Sequence, residues 1–298
     1  MNPNVAYSAS KEDLVAPYRQ AGFFPAGYPK TEGALCAEMA RLAYCRENPS
    51  DPALDQGRIQ TILSRLGFTN FKFFESMAHH HSTGTHCFLA MDAQNKFAVL
   101  SFRGTDADDP TDIADDLDAI RTPWEKTGNV HEGFAKALNE VRPRLDQELD
   151  IIGDDYRVLY TGHSLGAALA TLQASLRPPH GLYTFGSPRV GNSTFVSTVK
   201  TVGGDSCLRR YVDCCDIVTR VPPEKPLDFV HVGDLYYIHE NRTIKLNPPD
   251  NDVDADQNRA RVQYVVEYAW KIGNVAVRDL ADHAPINYVT AITANDLP

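Results

Sequence analysis

Apolar positions recur at helical spacing in several separate stretches of this 298-residue chain. Leu35, Met39, Leu42 and Ala43 predict a helix over Glu32–Cys45, and Leu54–Leu66 predicts a second one stopped by Gly67. Phe134, Leu138, Val141, Leu145 and Leu149 form one stripe along a long helix over Gly133–Ile152, which Pro143 is placed to kink. Leu165–Leu176 is small and apolar on nearly every side, the pattern of a buried helix. Between these lie β-prone runs at Asn70–Glu75, Arg157–Tyr160, Gly181–Phe185, Cys207–Val212 and Leu235–Ile238. Thr85–Met91 and Lys96–Phe102 predict a hairpin across Asp92-Ala93-Gln94-Asn95. Residues 246–258 read as a polar loop, followed by an amphipathic helix carrying Val262, Val265, Val266, Ala269, Ile272, Val275 and Ala276. Residues 1–30 hold Pro3, Pro17, Pro25 and Pro29 and read as an extended N-terminal wrap.

Strands alternating with helices imply a mainly parallel central sheet with helices on both faces. No Gly/Ser-rich or Pro-rich linker divides the chain, so a single domain over 1–298 is expected, with 240–280 forming a loop and helix insertion. In such a sheet ligands sit at the carboxyl ends of the strands.

One strand-to-helix junction stands out on that end. Gly162-His163-Ser164-Leu165-Gly166 has the spacing Gly-x-Ser-x-Gly between a β-prone run and an apolar helix. The short pattern recurs by chance in other chains, so the flanking strand and helix carry the weight. A serine on a sharp turn projects its hydroxyl out of the fold, and small neighbours keep the elbow from colliding with strand and helix. The N–H of Leu165, at a helix N-terminus, can face developing negative charge.

A serine hydroxyl needs a base to take its proton and an acid to orient that base. With the order Ser, acid, His of α/β-hydrolases, only His231, His239 and His283 of the ten histidines lie late enough. His283 sits in a late loop entering a short helix; His231 lies in a strand-like alternation, and His239 closes a strand. Asp216 follows the β-prone run Leu208–Cys215, on the site side, with Asp213 and Asp228 as alternatives. Phe102-Arg103-Gly104-Thr105 follows an earlier strand, where Thr105 can offer a second N–H to an oxyanion. Arg103 is expected to pair with Asp115 or Asp116.

Six segments now stand in order: Val99–Thr105, Val130–Phe134, Thr161–Ala167, Tyr183–Gly191, Asp216–Pro223 and Asp282-His283. Together they resemble the class 3, fungal-type lipase family across roughly residues 85–290. The resemblance implies an α/β-hydrolase fold and ester hydrolysis, with an acylglycerol as the expected substrate. It implies Ser164, Asp216 and His283 as catalytic triad, Thr105 and Leu165 as oxyanion donors, and no cofactor. His131 matches a family position and is read as structural. Short-chain esterase, phospholipase A and feruloyl-type esterase share this chemistry, and a lipase-like binding protein without turnover is the alternative of another class. The family's lid is an apolar amphipathic helix; here 106–118 carries seven aspartates, which predicts a weak lid and little interfacial activation. The helix around 259–280 is a candidate roof for the acyl pocket.

Bulk properties narrow the partners. Formal net charge is −10, which argues against nucleic acid and against tight binding to anionic membrane. No apolar run reaches the ~18 residues of a membrane helix, so stable insertion is not expected, only transient contact with a lipid interface. No protein partner is implied. The first twenty residues lack the apolar core of a secretion signal, which predicts a cytoplasmic chain unless a leader has been removed. Six cysteines without metal-ligand spacing read as mainly reduced. His79-His80-His81 and the aspartate cluster lack the spacing of a metal site, and none is assigned.

Overall fold

The computed structural model describes residues 5–19, 22–25, 29–48, 53–76, 84–105, 120–204 and 207–295. The acidic stretch 106–118, the expected partners Asp115 and Asp116 of Arg103, and His79–His81 lie outside the described residues.

The described helices are α1 (Lys11–Val15), α2 (Glu32–Leu42), α3 (Gln56–Ser64), α4 (Glu132–Ile152), α5 (Leu165–Leu176), α6 (Ser193–Gly203), α7 (Asp250–Glu267), α8 (Arg278–Ala281) and α9 (Pro285–Asn295). The strands are β1 (Asn70–Glu75), β2 (His86–Asp92), β3 (Phe97–Phe102), β4 (Arg121–Pro123), β5 (Asn129–His131), β6 (Arg157–His163), β7 (Gly181–Phe185), β8 (Cys207–Asp213), β9 (Asp234–Ile238) and β10 (Ile244–Leu246). Eight of them form one sheet in the order β1-β2-β3-β6-β7-β8-β9-β10. The five central strands β3, β6, β7, β8 and β9 run parallel, and the antiparallel pairs sit at the two edges. The α/β-hydrolase fold expected from the sequence is thus the fold observed.

Side chains alternate through the sheet into two cores. Phe88, Val99, Leu159, Tyr183, Phe185 and Tyr211 pack under α2, α3 and α9. Leu89, Leu100, Phe102, Tyr160 and Leu182 face the other way, under α4, α5 and α6. β2 is buried along its whole length, because a strand covered on both faces has no solvent side to keep polar.

The hairpin forms as expected: the Asp92 carboxylate accepts the N–H groups of Gln94 and Asn95 and closes the turn. α4 runs through Pro143 as one helix of 21 residues.

Two expectations are corrected. The N-terminal wrap is not wholly extended: Lys11–Val15 is helical, capped by the Ser10 hydroxyl on the Glu12 N–H. Residues 250–258, expected as loop, are the first half of α7. Asp250 and Asp252 in its first turn complement the positive end of the helix dipole, a signal that composition alone reads as loop.

Candidate active site

Ser164 occupies the tip between β6 and α5, with φ 57° and ψ −128°. A non-glycine residue there is strained, and the surrounding chain holds it in place. The Ser164 N–H donates to the carbonyl of Phe185 on β7 at 3.0 Å, which ties the elbow to the next strand. Both flanking glycines are needed for contact: a Cβ on Gly162 would lie 2.3 Å from Gly166 backbone, and one on Gly166 would lie 2.2 Å from the Phe102 carbonyl. The serine hydroxyl makes no capping bond to its own helix.

Gly104 follows β3 and passes so close to the elbow that a Cβ would sit 2.7 Å from the His163 carbonyl. The next residue, Thr105, is exposed at that rim, and Leu165 begins α5 half-buried beside Ser164. The N–H groups of a first helical turn have no intrahelical acceptor.

His283 lies in the turn between α8 and α9 and is buried. Its Nδ1 meets both carboxylate oxygens of Asp216, at 3.0 and 2.9 Å. Asp216 sits three residues past the end of β8 and caps a short 3₁₀ turn over Ile217–Arg220, its Oδ1 accepting the Val218 N–H at 3.0 Å. Tyr288 on α9 donates to Oδ2 at 2.5 Å. Gly186, directly after the Phe185 that holds the elbow, has φ +57° and abuts both the Asp216 carboxylate and the His283 ring. The structure therefore gathers Ser164, Asp216 and His283 at the carboxyl ends of β6, β7 and β8. Among the described residues, the Ser164 Oγ and the His283 Nε2 are both buried without a hydrogen-bond partner. Buried polar atoms are rarely left so, and each is free to meet a reacting group.

The rival histidines and acids are engaged elsewhere. His231 Nε2 lies 2.8 Å from the Thr219 carbonyl, and His239 Nδ1 lies 3.2 Å from Asp256 on α7. His131 caps α4, its Nδ1 accepting the Phe134 N–H at 3.4 Å. Asp213 is the last residue of β8 and pairs with Arg242 at 2.8 and 2.7 Å in full burial. Asp228 is exposed and accepts from the Ser193 hydroxyl.

Sequence patterning missed the second layer of this site. His163 packs against His283 with ring centroids 4.4 Å apart and planes tilted by 39°, and its Nδ1 lies 2.8 Å from the Tyr44 hydroxyl on the chain leaving α2. Burial, reinforced by the nearby His283, holds His163 well below the usual imidazole range, so it stays neutral. Burial and the neighbouring carboxylates Asp216 and Asp213 push Tyr288 well above the usual phenol range, so it stays a donor. Tyr288 lies five residues after His283, just inside α9, an offset that could have marked it.

All six cysteines are free. Among the described residues one cluster has the donor types of a metal site: Cys214, Cys215 and Asp282, within 4.8 Å of one another. Its donors are already spent. Asp282 accepts from Arg278, Tyr7 and the Cys215 N–H, and the two thiols contact each other at 3.3 Å. Burial pushes the Cys214 thiol well above its ordinary range, away from the thiolate a metal requires.

The chain and its fold are similar to known lipases. The family model for class 3 lipases matches residues 99–225. A secreted mono- and diacylglycerol lipase of Malassezia globosa is 30% identical over 233 residues, covering 72% of this chain and 71% of that one. Lipase II of Rhizopus niveus superposes with a TM-score of 0.55 at 28% identity, covering 70% of this chain and 80% of the other. A triacylglycerol lipase whose catalytic centre is formed by a serine protease triad superposes with a TM-score of 0.53 at 26% identity, over 69% and 77% of the two chains.

Proposed function

The chain belongs to the class 3 lipase family and is a carboxylic ester hydrolase, and from that premise we propose that Ser164, His283 and Asp216 carry its chemistry on acylglycerols. The observation that supports this most is the His283 Nδ1 fixed on the Asp216 carboxylate at 2.9 Å, at the strand end where Ser164 stands on its strained elbow.

His283 Nε2 takes the proton of Ser164 as Oγ adds to the ester carbonyl carbon. The carbonyl π bond becomes an oxyanion, which the N–H groups of Thr105 and Leu165 hold. Collapse of the intermediate breaks the bond to the alkoxy oxygen, and His283 hands the proton to the departing alcohol. An acyl-Ser164 ester remains. Water, deprotonated by His283, adds to that ester, and the second collapse releases the fatty acid and returns the proton to Ser164. Asp216 holds the Nδ1–H tautomer and stabilises the imidazolium in both halves. Each oxyanion donor is worth about 100- to 1000-fold in rate. The acylglycerol assignment follows the relatives, which are named as mono-, di- and triacylglycerol lipases.

The test is a panel of p-nitrophenyl esters from two to sixteen carbons, with a triacylglycerol, a monoacylglycerol and a phospholipid. Labelling of Ser164 by a fluorophosphonate runs in parallel. Long-chain acylglycerol turnover with labelling supports the reading. Turnover confined to soluble short esters would make the protein an esterase. No labelling at all would leave a lipase-like binding protein.

A further inference from the structure

Six of the nine large apolar side chains exposed among the described residues fall in one stretch: Val262, Val265, Val266, Trp270, Ile272 and Val277. Trp270 is 71% exposed and Ile272 fully so. Val262, Val265 and Val266 are spaced by three and four residues and share one face of α7. The face turned inward is instead Asp256, Gln257, Ala260 and Tyr264. The second half of the helix therefore turns its valines outward, while Asp256 and Gln257 are buried beside Ala260 and Tyr264.

That inward face explains where the helix sits. Gln257 donates to the Cys214 carbonyl, and Asp256 accepts from Tyr237 and from the Glu240 N–H. Arg261 pairs with Asp279, just before the His283 turn. α7 therefore rests on the chain leaving β8 and β9, at the carboxyl end of the sheet where Ser164 lies. The apolar face is on the same end of the molecule as the reacting hydroxyl.

Charge along this segment is uneven. Asp250, Asp252, Asp254 and Asp256 crowd its first half, while Arg259, Arg261 and Lys271 outnumber Glu267 in the second. The Lys271 ammonium lies over the rings of Tyr268 and Trp270 at 5.1 and 5.7 Å. An exposed tryptophan beside a lysine, at the end of an apolar helical face, is the arrangement that settles at the headgroup level of a lipid layer. So many large apolar side chains exposed within one short stretch are unusual on a protein that meets only water.

We propose that the outer face of α7 and the turn through Ile272 dock this protein on an electrically neutral lipid surface, with Trp270 at headgroup depth. The inference rests on the lipase reading of the site, which supplies the reason for a lipid surface. The net charge of −10 sets the preference for a neutral layer over an anionic one.

The experiment uses the full chain carrying Ser164→Ala, so that binding is read without turnover. The chain has two tryptophans, and Trp124 is buried, so a change in emission on adding vesicles reports Trp270. Phosphatidylcholine vesicles should blue-shift that emission, and brominated phosphatidylcholine should quench it. Adding Val266→Asp and Ile272→Asp should lower the fraction that co-floats with vesicles by about tenfold or more. Phosphatidylglycerol vesicles should bind less than phosphatidylcholine. Emission unmoved by vesicles, or co-flotation unchanged by the two aspartates, overturns the proposal. So does a dimer in size-exclusion chromatography that the two aspartates dissociate, since the face would then belong to a second copy. The emission measurement needs no surface variant and stands if the double variant fails to fold. Hydrolysis of a water-soluble ester by the wild type is scored separately: turnover without vesicle binding defeats the docking alone, and binding without turnover defeats the active-site reading alone.

Discussion

The Tyr288 hydroxyl donates to Oδ2 of Asp216 at 2.5 Å while accepting the Asp213 N–H at 3.1 Å. One phenol on α9 thus joins the carboxylate that orients His283 to the last residue of β8. Asp216 has three partners of different origin: the Val218 N–H of its own turn, the His283 ring and Tyr288. Such a carboxylate has little freedom to rotate away from the imidazole.

Tyr288→Phe keeps the ring packing and removes both bonds. We expect kcat on a soluble ester to fall about tenfold, the rate equivalent of ~1.4 kcal/mol, with KM within about twofold. Asp216 would be less firmly held, whereas substrate contacts would be untouched. Steady-state kinetics at one pH near neutrality checks this, and a change in KM with kcat unaltered would count against a positioning role.

The two buried aspartates near the end of β8 should separate cleanly. Asp216→Asn donates where His283 needs an acceptor and should lower kcat about ten-thousandfold, with the fold retained. Asp213→Asn leaves Arg242 buried without its counter-charge and should cost about 3–5 kcal/mol in denaturant unfolding. The folded fraction of that variant, counted by fluorophosphonate labelling, should keep near-normal kcat. The reverse pattern would make Asp213 the acid.

Gly166→Ala adds one methyl 2.2 Å from the Phe102 carbonyl, a backbone atom that cannot swing aside. The expected cost is about 3 kcal/mol or more, seen as a lowered Tm or as failure to accumulate folded protein. A variant that melts with the wild type would mean that the elbow and β3 can separate.

The elbow was legible because its constraints are local. A serine at φ 57° between two close contacts demands Gly162 and Gly166 at fixed offsets. The proposed triad could be picked from the sequence because chain order prunes the candidates. Tyr288 had only its offset from His283 to mark it, and His163 had nothing, because its role arises where its ring meets those of His283 and Tyr288 from distant parts of the chain. α7 shows a different failure. The helix expected after residue 258 is α7 only as far as Glu267, short of Ala269 and Ile272, which lie in the turns that follow, and its valines mark the outer face. The inner face is held by Asp256 and Gln257 through hydrogen bonds to the chain after β8 and β9, and periodicity counts such residues as solvent-facing.

Stability should depend on pH through His163. Its folded-state affinity for a proton is depressed by burial and by His283, whereas in the unfolded chain it titrates near 6.5. The groups against it are the Tyr44 hydroxyl and the rings of His283 and Tyr288, none of which is a carboxylate. Above 6.5 neither state holds the proton and the group costs nothing. As pH falls below 6.5 the unfolded state gains a proton that the folded state refuses, so stability is lost. Between pH 7.5 and 5.5 this one group should remove about 1.4 kcal/mol. His231 is depressed too, by burial and by Arg210 and Arg189, and adds a slope of the same sign. Burial raises Asp213 against the pull of Arg242, and this acts in the opposite direction. The comparison that isolates His163 is therefore wild type against His163→Asn, each unfolded in urea at pH 7.5 and 5.5. The wild type should lose about 1.4 kcal/mol more than the variant across that interval. Equal losses in the two proteins would mean that His163 accepts a proton in the folded state, and that it does not stand neutral against His283.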